Sequence, residues 1–237
     1  MCMSRIDKIR SKEKEYHDHC YDNYKLFEQG SWLHKPVRTI LDLFAYFDEL
    51  EEVQVLDLGC GIGRNSIPLA EKIGARKGTV VCVDLLESAI EKLRLYSKEF
   101  NVADKIECKQ SDIAEYSIAS KYFNFIFAVS SMEHVESETQ FDRVIEHIVR
   151  GTKVGGINCI IISTNISETA INSGKRLDPM YELQFETDQL IRKLQGIYSK
   201  WEILQQTVKP YELEIERDGQ RIILQGDVLT WAVRKMQ

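Results

Sequence analysis

Short apolar segments alternate with amphipathic helical segments along most of this chain, and this alternation limits its possible folds more than any other feature. An apolar run such as 123–129 carries hydrophobic residues at nearly every position, which is typical of parallel strands buried on both faces. Repeated strand–helix–strand units build a parallel sheet with helices on both faces, so the sequence predicts a doubly wound α/β fold. The expected strands are 53–58, 79–84, 105–109, 123–129 and 157–163, and the expected helices are 36–49, 65–73, 86–99 and 137–150.

The two ends of the chain depart from this alternation. Residues 1–35 are charged and rich in tyrosine, and they predict an N-terminal helical arm. Residues 164–186 are polar and predict an irregular insertion. The remainder, 36–237, is interpreted as one domain, because a chain of 237 residues is short for two catalytic domains.

The C-terminal part has the pattern of an antiparallel hairpin. A helix is expected at 187–195, and two long alternating runs follow at 200–216 and 220–234. The dipeptide Asp218-Gly219 joins these runs, and Asp-Gly between alternating strands is a strong hairpin signal. The mostly parallel sheet is therefore expected to end in antiparallel strands.

Composition excludes several classes of protein. With 43% hydrophobic and 29% charged residues the chain can bury a full core, and no apolar stretch approaches the roughly 18 residues of a membrane span. A formal net charge of −6 makes nucleic acid an improbable bulk partner. We expect a cytoplasmic monomer or homodimer without a metal site or disulfides, because no Cys-x-x-Cys pair occurs. The six cysteines are Cys2, Cys20, Cys60, Cys82, Cys108 and Cys159.

A glycine-rich turn follows the first strand and predicts a nucleotide site. Glycines at 59, 61 and 63 let the backbone turn tightly and approach a ligand closely. Asp84 ends the second strand, 21 residues after Gly63, where an acidic side chain can accept hydrogen bonds from ribose hydroxyls. A dinucleotide fingerprint would place its third glycine at the position of Arg64, so a nicotinamide-dependent oxidoreductase is disfavoured.

Residues 53–163 resemble the class I S-adenosylmethionine-dependent methyltransferases. The resemblance rests on VLDLGCGIGRN (55–65), VCVDL (81–85), QSDI (110–113), FIFAVSSMEHV (125–135) and VGGINCIIIS (154–163). It implies a Rossmann-like sheet of seven strands with a reversed C-terminal strand, and S-adenosylmethionine as the cofactor. Under this resemblance, 53–163 is the cofactor half and the insertion 164–186 lies on the acceptor side.

The resemblance also implies a set of cofactor-binding residues. Gly59, Cys60 and Gly61 would lie beside the methionyl part, Asp57 would help to hold the amino group, and Ser130 would line the methionyl side. The ribose and adenine would be contacted by Asp84, Leu85, Asp112 and Ile113. Asp57 could equally cap the glycine turn, and Asp112 could equally be a helix N-cap.

A second resemblance, to the tellurite-resistance-type methyltransferases, covers GRNSIPLAE after the glycines and the C-terminal tail. Trp32, just before the first domain helix, resembles the lid segment of this group and would contact the cofactor. One departure is clear, because Glu212-Leu213 is followed by Glu214-Ile215, where we associate tellurite-methylating members with a His-Arg pair. Arg221 stands in a plausible matching place.

The loop after the fourth strand carries the candidate catalytic residues, Glu133 and His134. A base is needed only if the acceptor must lose a proton, and histidine suits that task by its ordinary pKa. His134 could instead pack beneath the site in a structural role.

The leading hypothesis is methyl transfer to a small-molecule acceptor. The alternatives are an RNA or protein methyltransferase, favoured by the basic residues of the arm, and a non-catalytic cofactor-binding module that regulates a partner. These basic residues are Arg5, Lys8, Arg10, Lys12 and Lys14.

Overall fold

A computed structural model describes residues 4–237 of the chain, so the predicted free thiol of Cys2 lies outside the described residues. Within this range the chain forms six α-helices and eight strands. The helices are α1 (Arg5–Asn23), α2 (Arg38–Phe44), α3 (Ser66–Ile73), α4 (Glu87–Glu99), α5 (Glu138–Gly151) and α6 (Thr187–Ile197). The strands are β1 (Glu52–Leu58), β2 (Lys77–Asp84), β3 (Ile106–Gln110), β4 (Phe123–Val129), β5 (Thr152–Ala170), β6 (Arg176–Leu177), β7 (Trp201–Arg217) and β8 (Gln220–Lys235).

The strands form one mixed sheet in the order β3-β2-β1-β4-β5-β8-β7, and the short β6 pairs with β5 outside this path. Strands β1 to β5 run parallel, whereas β8 is antiparallel to both β5 and β7. The order reverses next to β1, and ligands of such sheets bind at the carboxyl ends of the strands near this switch point. The predicted doubly wound sheet with an antiparallel C-terminal hairpin is confirmed, with β6 as an additional strand.

Helices cover both faces of the sheet. Along β1, Val53 and Val55 contribute to one hydrophobic core, and Leu56 and Leu58 contribute to the other. This division follows from the alternation of side chains along a strand. The first core includes residues of α2, α3 and α4, and the second includes residues of α5 and α6.

The predicted strand 157–163 and the predicted irregular insertion 164–186 need correction. Strand β5 extends from Thr152 to Ala170, because 167–170 pair with β8 after a register shift that follows Thr164. Thr164, Ile166 and Glu168 are buried in this extension. Polar residues at buried positions conceal the strand in the sequence, since their burial depends on pairing with β8, far away in the chain.

The predicted helix 36–49 is also shorter than expected. Helix α2 ends at Phe44, and a 3-10 turn at Ala45–Phe47 follows it. Ala45, Tyr46 and Phe47 continue the apolar pattern, but the backbone tightens at this point because Asp48 N–H bonds to the carbonyl of Ala45.

The N-terminal arm contains one long helix, as expected. At the start of α1 the Ser4 side chain accepts from the backbone N–H of Asp7, and the Asp7 side chain accepts from the backbone N–H of Ser4. Ile9, within the same helix, is fully buried. Arg5 Nε lies 3.0 Å from the carboxylate of Asp178, and Lys12 Nζ lies 3.0 Å from that of Asp218 at the hairpin tip. Charged contacts therefore join helix α1 to the acceptor-side segments.

The cysteines at 20, 60, 82, 108 and 159 are free thiols. Cys82, Cys108 and Cys159 lie on β2, β3 and β5, as their apolar surroundings indicated. No helix within 4–237 combines the length and the apolar character needed to cross a membrane. In the same range, His, Cys, Asp and Glu side chains form no group of three or more arranged to hold a metal ion.

Candidate active site

The glycine turn after β1 lies against the end of β2. The Gly59 and Cys60 N–H groups donate to the carbonyl of Val83, at 2.8 and 3.0 Å. Gly61 N–H donates to Asp84 Oδ2 at 2.8 Å, and Leu86 N–H donates to Asp84 Oδ1 at 2.9 Å. Burial raises the pKa of Asp84, and these two backbone donors oppose that effect. The structure thus brings the predicted glycines and the predicted acidic residue into direct contact.

Two of the glycines have no room for a side chain. A Cβ atom on Gly59 would lie 2.3 Å from Ser131 Cβ, and the φ angle of Gly59 is +83°. A Cβ atom on Gly61 would lie 3.0 Å from the hydroxyl of Tyr21, which α1 places over the turn. Bare backbone at this point is the surface that a nucleotide cofactor requires.

Asp57 is 1% exposed and faces the start of α3. Its Oδ2 accepts a 2.5 Å hydrogen bond from the hydroxyl of Ser66. Burial raises the pKa of Asp57 to about 7, although the hydrogen bond from Ser66 opposes the shift. At neutral pH this carboxyl group therefore lies near its titration midpoint.

The predicted adenine-side residues surround the ends of β2 and β3. Leu85 is 45% exposed, an unusual position for a leucine that directly follows a buried strand. Asp112 Oδ1 accepts from Ala114 N–H at 2.9 Å, and Asp112 Oδ2 accepts from Arg10 at 3.0 Å. Asp112 caps a single turn rather than a helix, since no helix begins there in the described chain. Ile113 packs against the second hydrophobic core.

Trp32 lies beside the glycine turn, in the 3-10 helix Trp32–His34. The guanidinium of Arg64 lies 4.9 Å from the centre of its ring, and Arg64 also donates to the Trp32 carbonyl at 3.0 Å. Tyr21 packs edge-to-face against Trp32 at 6.3 Å. Arg64, which stands where a dinucleotide fingerprint has glycine, thus attaches the arm to the glycine turn.

The loop after β4 positions the two catalytic candidates differently. Glu133 is 1% exposed, and its Oε1 accepts from Ser163 N–H at 3.2 Å. His134 has a side chain that is 28% exposed, and its Nδ1 lies 2.9 Å from Glu182 Oε2. Ser130 precedes them with a φ angle of +51°, and its N–H donates to the Ile161 carbonyl at 2.8 Å.

Charges around His134 make it strongly basic. Burial alone would lower its pKa, but the hydrogen bond to Glu182 and the charges of Glu13 and Glu133 raise the pKa to about 9. Burial raises the pKa of Glu133, whereas the neighbouring His134 lowers it. Burial is the largest single cause for both residues, but for His134 the acidic neighbours together outweigh it.

Two residues at this edge, Arg10 and Glu182, were not predicted as site residues, and Tyr21 was expected only as one of the tyrosines of the arm. Tyr21 covers Gly61, Arg10 joins α1 to Asp112, and Glu182 contacts His134. Each contact joins residues more than 39 positions apart, so no local spacing could reveal it. The tyrosine-rich composition of the arm was the one available signal.

The arm's basic residues are mostly paired with acidic side chains. Arg10 lies 3.0 Å from Asp112 and 3.3 Å from Glu136, and Lys14 pairs with Asp18. With Arg5 and Lys12 also paired, these residues present little free positive charge to a nucleic acid.

Comparison with known proteins identifies relatives of this chain. A family model described as "Methyltransferase domain" matches residues 55–156. The ubiquinone biosynthesis O-methyltransferase of Rickettsia akari is 32% identical over 82% of this chain and 83% of its own length. The enzyme of the same name from Rickettsia felis is 30% identical over 82% and 85%, respectively.

Solved structures share the fold at lower identity. TehB from Haemophilus influenzae superimposes with a TM-score of 0.62 at 21% identity, covering 94% of this chain and 67% of that chain. A phosphoethanolamine N-methyltransferase from Haemonchus contortus, solved with S-adenosylhomocysteine, gives a TM-score of 0.55 at 18% identity, covering 97% and 50%. From the relatives and the fold together, the chain belongs to the class I S-adenosylmethionine-dependent methyltransferases.

Proposed function

We propose that this enzyme transfers a methyl group from S-adenosylmethionine to a hydroxyl oxygen of a small-molecule acceptor. The observation that carries the proposal is the contact between the bare glycine turn and the Asp84 carboxylate, at the same sheet edge as Glu133 and His134. The relatives named as O-methyltransferases support oxygen as the accepting atom.

The residues at this edge fit the chemical groups of the cofactor. Gly59, Cys60 and Gly61 offer backbone without obstructing side chains, and the carboxyl groups of Asp57 and Asp84 suit an amino group and ribose hydroxyls. An adenine ring would lie between apolar Leu85 and Ile113 with Asp112 as the amine acceptor, while Ser130 and Trp32 would complete the pocket. When bound, the cofactor supplies an activated methyl group on a sulfonium centre.

The protein's remaining tasks are to orient the acceptor, exclude water and accept a proton. Helix α1 and Tyr21 cover the glycine turn and shield it from solvent. His134 has a partly exposed side chain, and its neutral ring can accept the proton of a hydroxyl acceptor. Because its pKa is raised to about 9, this neutral form becomes more abundant as the pH rises toward that value. Glu133 is buried with Ser163 as a backbone partner, which suits it to support the loop.

Tellurite-type chemistry is the less favoured alternative. Arg221, in the plausible matching place for a cationic residue of that group, pairs with Glu214 at 2.5 Å near the hairpin tip, where both side chains are about half exposed. An exposed ion pair provides no buried positive site for an oxyanion. Five buried or half-buried free cysteines support a reducing, cytoplasmic setting.

The first experiment combines methyl-labelled S-adenosylmethionine with a panel of acceptors. The panel contains catechol and other phenols, tellurite, selenite, thiols, amines and carboxylates, and label is counted separately in headspace and solution. We expect label in phenol products in solution. Volatile label with tellurite, or label confined to amines or thiols, would contradict O-methylation. Tight cofactor binding without any transfer would instead favour a macromolecular substrate or a regulatory module.

Asp84→Ala tests the cofactor site directly. A charge-assisted hydrogen bond contributes about 1.5–3 kcal/mol, so titration calorimetry should show S-adenosylhomocysteine bound roughly 10- to 100-fold more weakly. Asp178→Ala is the matched control, because that side chain is 71% exposed and pairs only with groups of the arm's start. Equal losses in both variants would refute the assigned role of Asp84.

A further inference from the structure

Glu182 lies between the arm and the loop after β4, and it contacts a cationic group on each side. Its Oε2 is 2.9 Å from His134 Nδ1, and its Oε1 is 3.8 Å from Arg10 Nε. The side chain of Glu182 is only 2% exposed. A buried carboxylate needs charged or hydrogen-bonding partners, and Arg10 and His134 supply them.

This contact determines how His134 is protonated. An ionised carboxylate can only accept hydrogen bonds, so Nδ1 of His134 must carry the proton that it shares with Glu182. The other ring nitrogen, Nε2, is then the one that gains or loses a proton. Tyr181 stacks on the imidazole at 5.8 Å with an interplanar angle of 18°, which further restricts the ring.

Polar atoms near His134 lack partners. Glu133 Oε2 and the hydroxyl of Tyr211 are buried without a hydrogen-bond partner among residues 4–237. Burial raises the pKa of Tyr211, and the charge of Glu133 adds to this effect. Unsatisfied buried polar atoms are rare in native proteins, so these two stand out at the candidate site.

We infer that Glu182 is a positioning residue for His134, which holds the imidazole so that its Nε2 faces the proton transfer from a hydroxyl acceptor. This inference rests on the proposed function. Glu182 holds the Nδ1–H group, which leaves Nε2 to receive the acceptor's proton. The acceptor oxygen then forms the new O–CH3 bond, and the electron pair of the broken C–S bond remains on sulfur. The imidazolium later releases its proton to water.

Charged groups from several segments surround His134 and set its protonation. Glu182 and Tyr181 face the ring from the segment before α6, Glu13 acts from α1, and Glu133 and Asp84 act from the ends of β4 and β2. Four carboxyl groups stabilise the imidazolium, which makes the neutral ring a stronger base than an ordinary histidine. Because the pKa of His134 lies above neutral pH, the neutral ring becomes more abundant as the pH rises toward about 9, and transfer to a protonated hydroxyl acceptor should rise with it.

Glu182→Gln tests the inference, with Glu186→Gln as the matched control because Glu186 is exposed four residues later. In protein labelled with ¹³C and ¹⁵N at its histidines, His134 is assigned from the signal that disappears in His134→Gln. We expect Glu182→Gln to lower the pKa of His134 by about 1–3 units, and Glu186→Gln to leave it unchanged. An unchanged His134 titration in Glu182→Gln would overturn the inference.

Methyl transfer to catechol supplies the second readout. Glu182→Gln should reduce kcat by at least roughly 10-fold while the KM for S-adenosylmethionine stays nearly constant, and the rise of kcat/KM with pH should move to lower pH. Pentafluorophenol, which is already ionised at the assay pH, should lose much less rate. Equal losses with both phenols, or no loss with catechol, would overturn the positioning role.

The two readouts separate this inference from the proposed function. If the wild-type enzyme methylates no hydroxyl acceptor but the His134 titration shifts as expected, the pairing of Glu182 with His134 stands and the proposed function fails. If hydroxyl transfer occurs without a shifted titration, O-methylation stands and the role of Glu182 fails.

Discussion

The cofactor side and the acceptor side of this enzyme are built by different means. In β1, six of the seven residues are buried, and strands of this kind position the glycine turn and Asp84. Within β7 (Trp201–Arg217) no residue is fully buried, and the hairpin, β5 extension and arm meet through ion pairs. Apolar burial therefore shapes the first side, whereas specific charged contacts shape the second.

This difference suggests how the two sides can change independently. The cofactor side depends on the burial and close packing of many apolar side chains. It therefore tolerates little change in side-chain shape. Contacts such as Arg5 with Asp178 are exposed and individually weak. The acceptor side can thus be remodelled by a few substitutions, which fits the diversity of acceptors on one fold.

On the cofactor side, substitution of Asp57 should produce the largest change in the free energy of unfolding. Its pKa is raised to about 7 by burial, so the folded protein favours the protonated form and loses stability as pH rises from 4 to 7. Asp57→Asn removes this titration. Relative to wild type, the free energy of unfolding of Asp57→Asn should increase by up to about 4 kcal/mol over this interval and level off above pH 7. This estimate follows from a pKa shift of about 3 units, since each unit corresponds to about 1.4 kcal/mol.

Urea unfolding between pH 4 and 8 measures this effect, and Asp104→Asn is the control because its side chain is 74% exposed. A gap between Asp57→Asn and wild type that stays constant with pH would show that Asp57 is ionised throughout. The buried Asp57 of the cofactor side would then carry a charge, and the contrast between the two sides would not hold.

On the acceptor side, Glu168 is a buried carboxylate that forms an ion pair, in contrast to Asp57. It is fully buried and forms two hydrogen bonds with the guanidinium of Arg217, at 2.5 and 2.9 Å. Glu168→Gln leaves a partly buried cation without its counter-charge, so the free energy of unfolding should fall by about 3 kcal/mol. Thermal and urea denaturation measure the loss. Glu216→Gln, at an exposed position in the same hairpin, should stay within about 0.5 kcal/mol of wild type, and equal losses would contradict the buried pair.

Substitution of Gly196 should produce the smallest change in the free energy of unfolding. It lies in α6, and apart from its chain neighbours and the adjacent helix backbone no atom of residues 4–237 lies within 4 Å of the point where its Cβ would be. Gly196→Ala should raise the free energy of unfolding by about 0.5–1 kcal/mol, since alanine loses less conformational freedom in a helix. Gly59→Ala is the contrasting variant, because its Cβ would collide with Ser131 at 2.3 Å. Destabilisation by Gly196→Ala would contradict the open space described for α6.

Most of the cofactor side could be predicted from local sequence. The apolar run 123–129 coincides with β4, and the glycine turn and Asp84 meet as their spacing indicated. The roles of Asp57, Asp112 and Trp32 toward the cofactor stay predictions. The β5 extension was missed because Thr164 and Glu168 look like loop residues until β8 and Arg217 become their partners.

The sequence by itself determined the parallel sheet and the glycine turn at its switch point, because apolar periodicity and glycine spacing act over a few residues. The enzyme class followed from the resemblance of residues 53–163 to a known family. The tertiary structure alone decided which charged groups meet at the acceptor side. Arg10 and Glu182 are 172 positions apart, and Glu182 and His134 are 48 apart, yet all three lie in one cluster. Ion pairs form between any residues that folding brings together, so their partners carry no signature in local sequence.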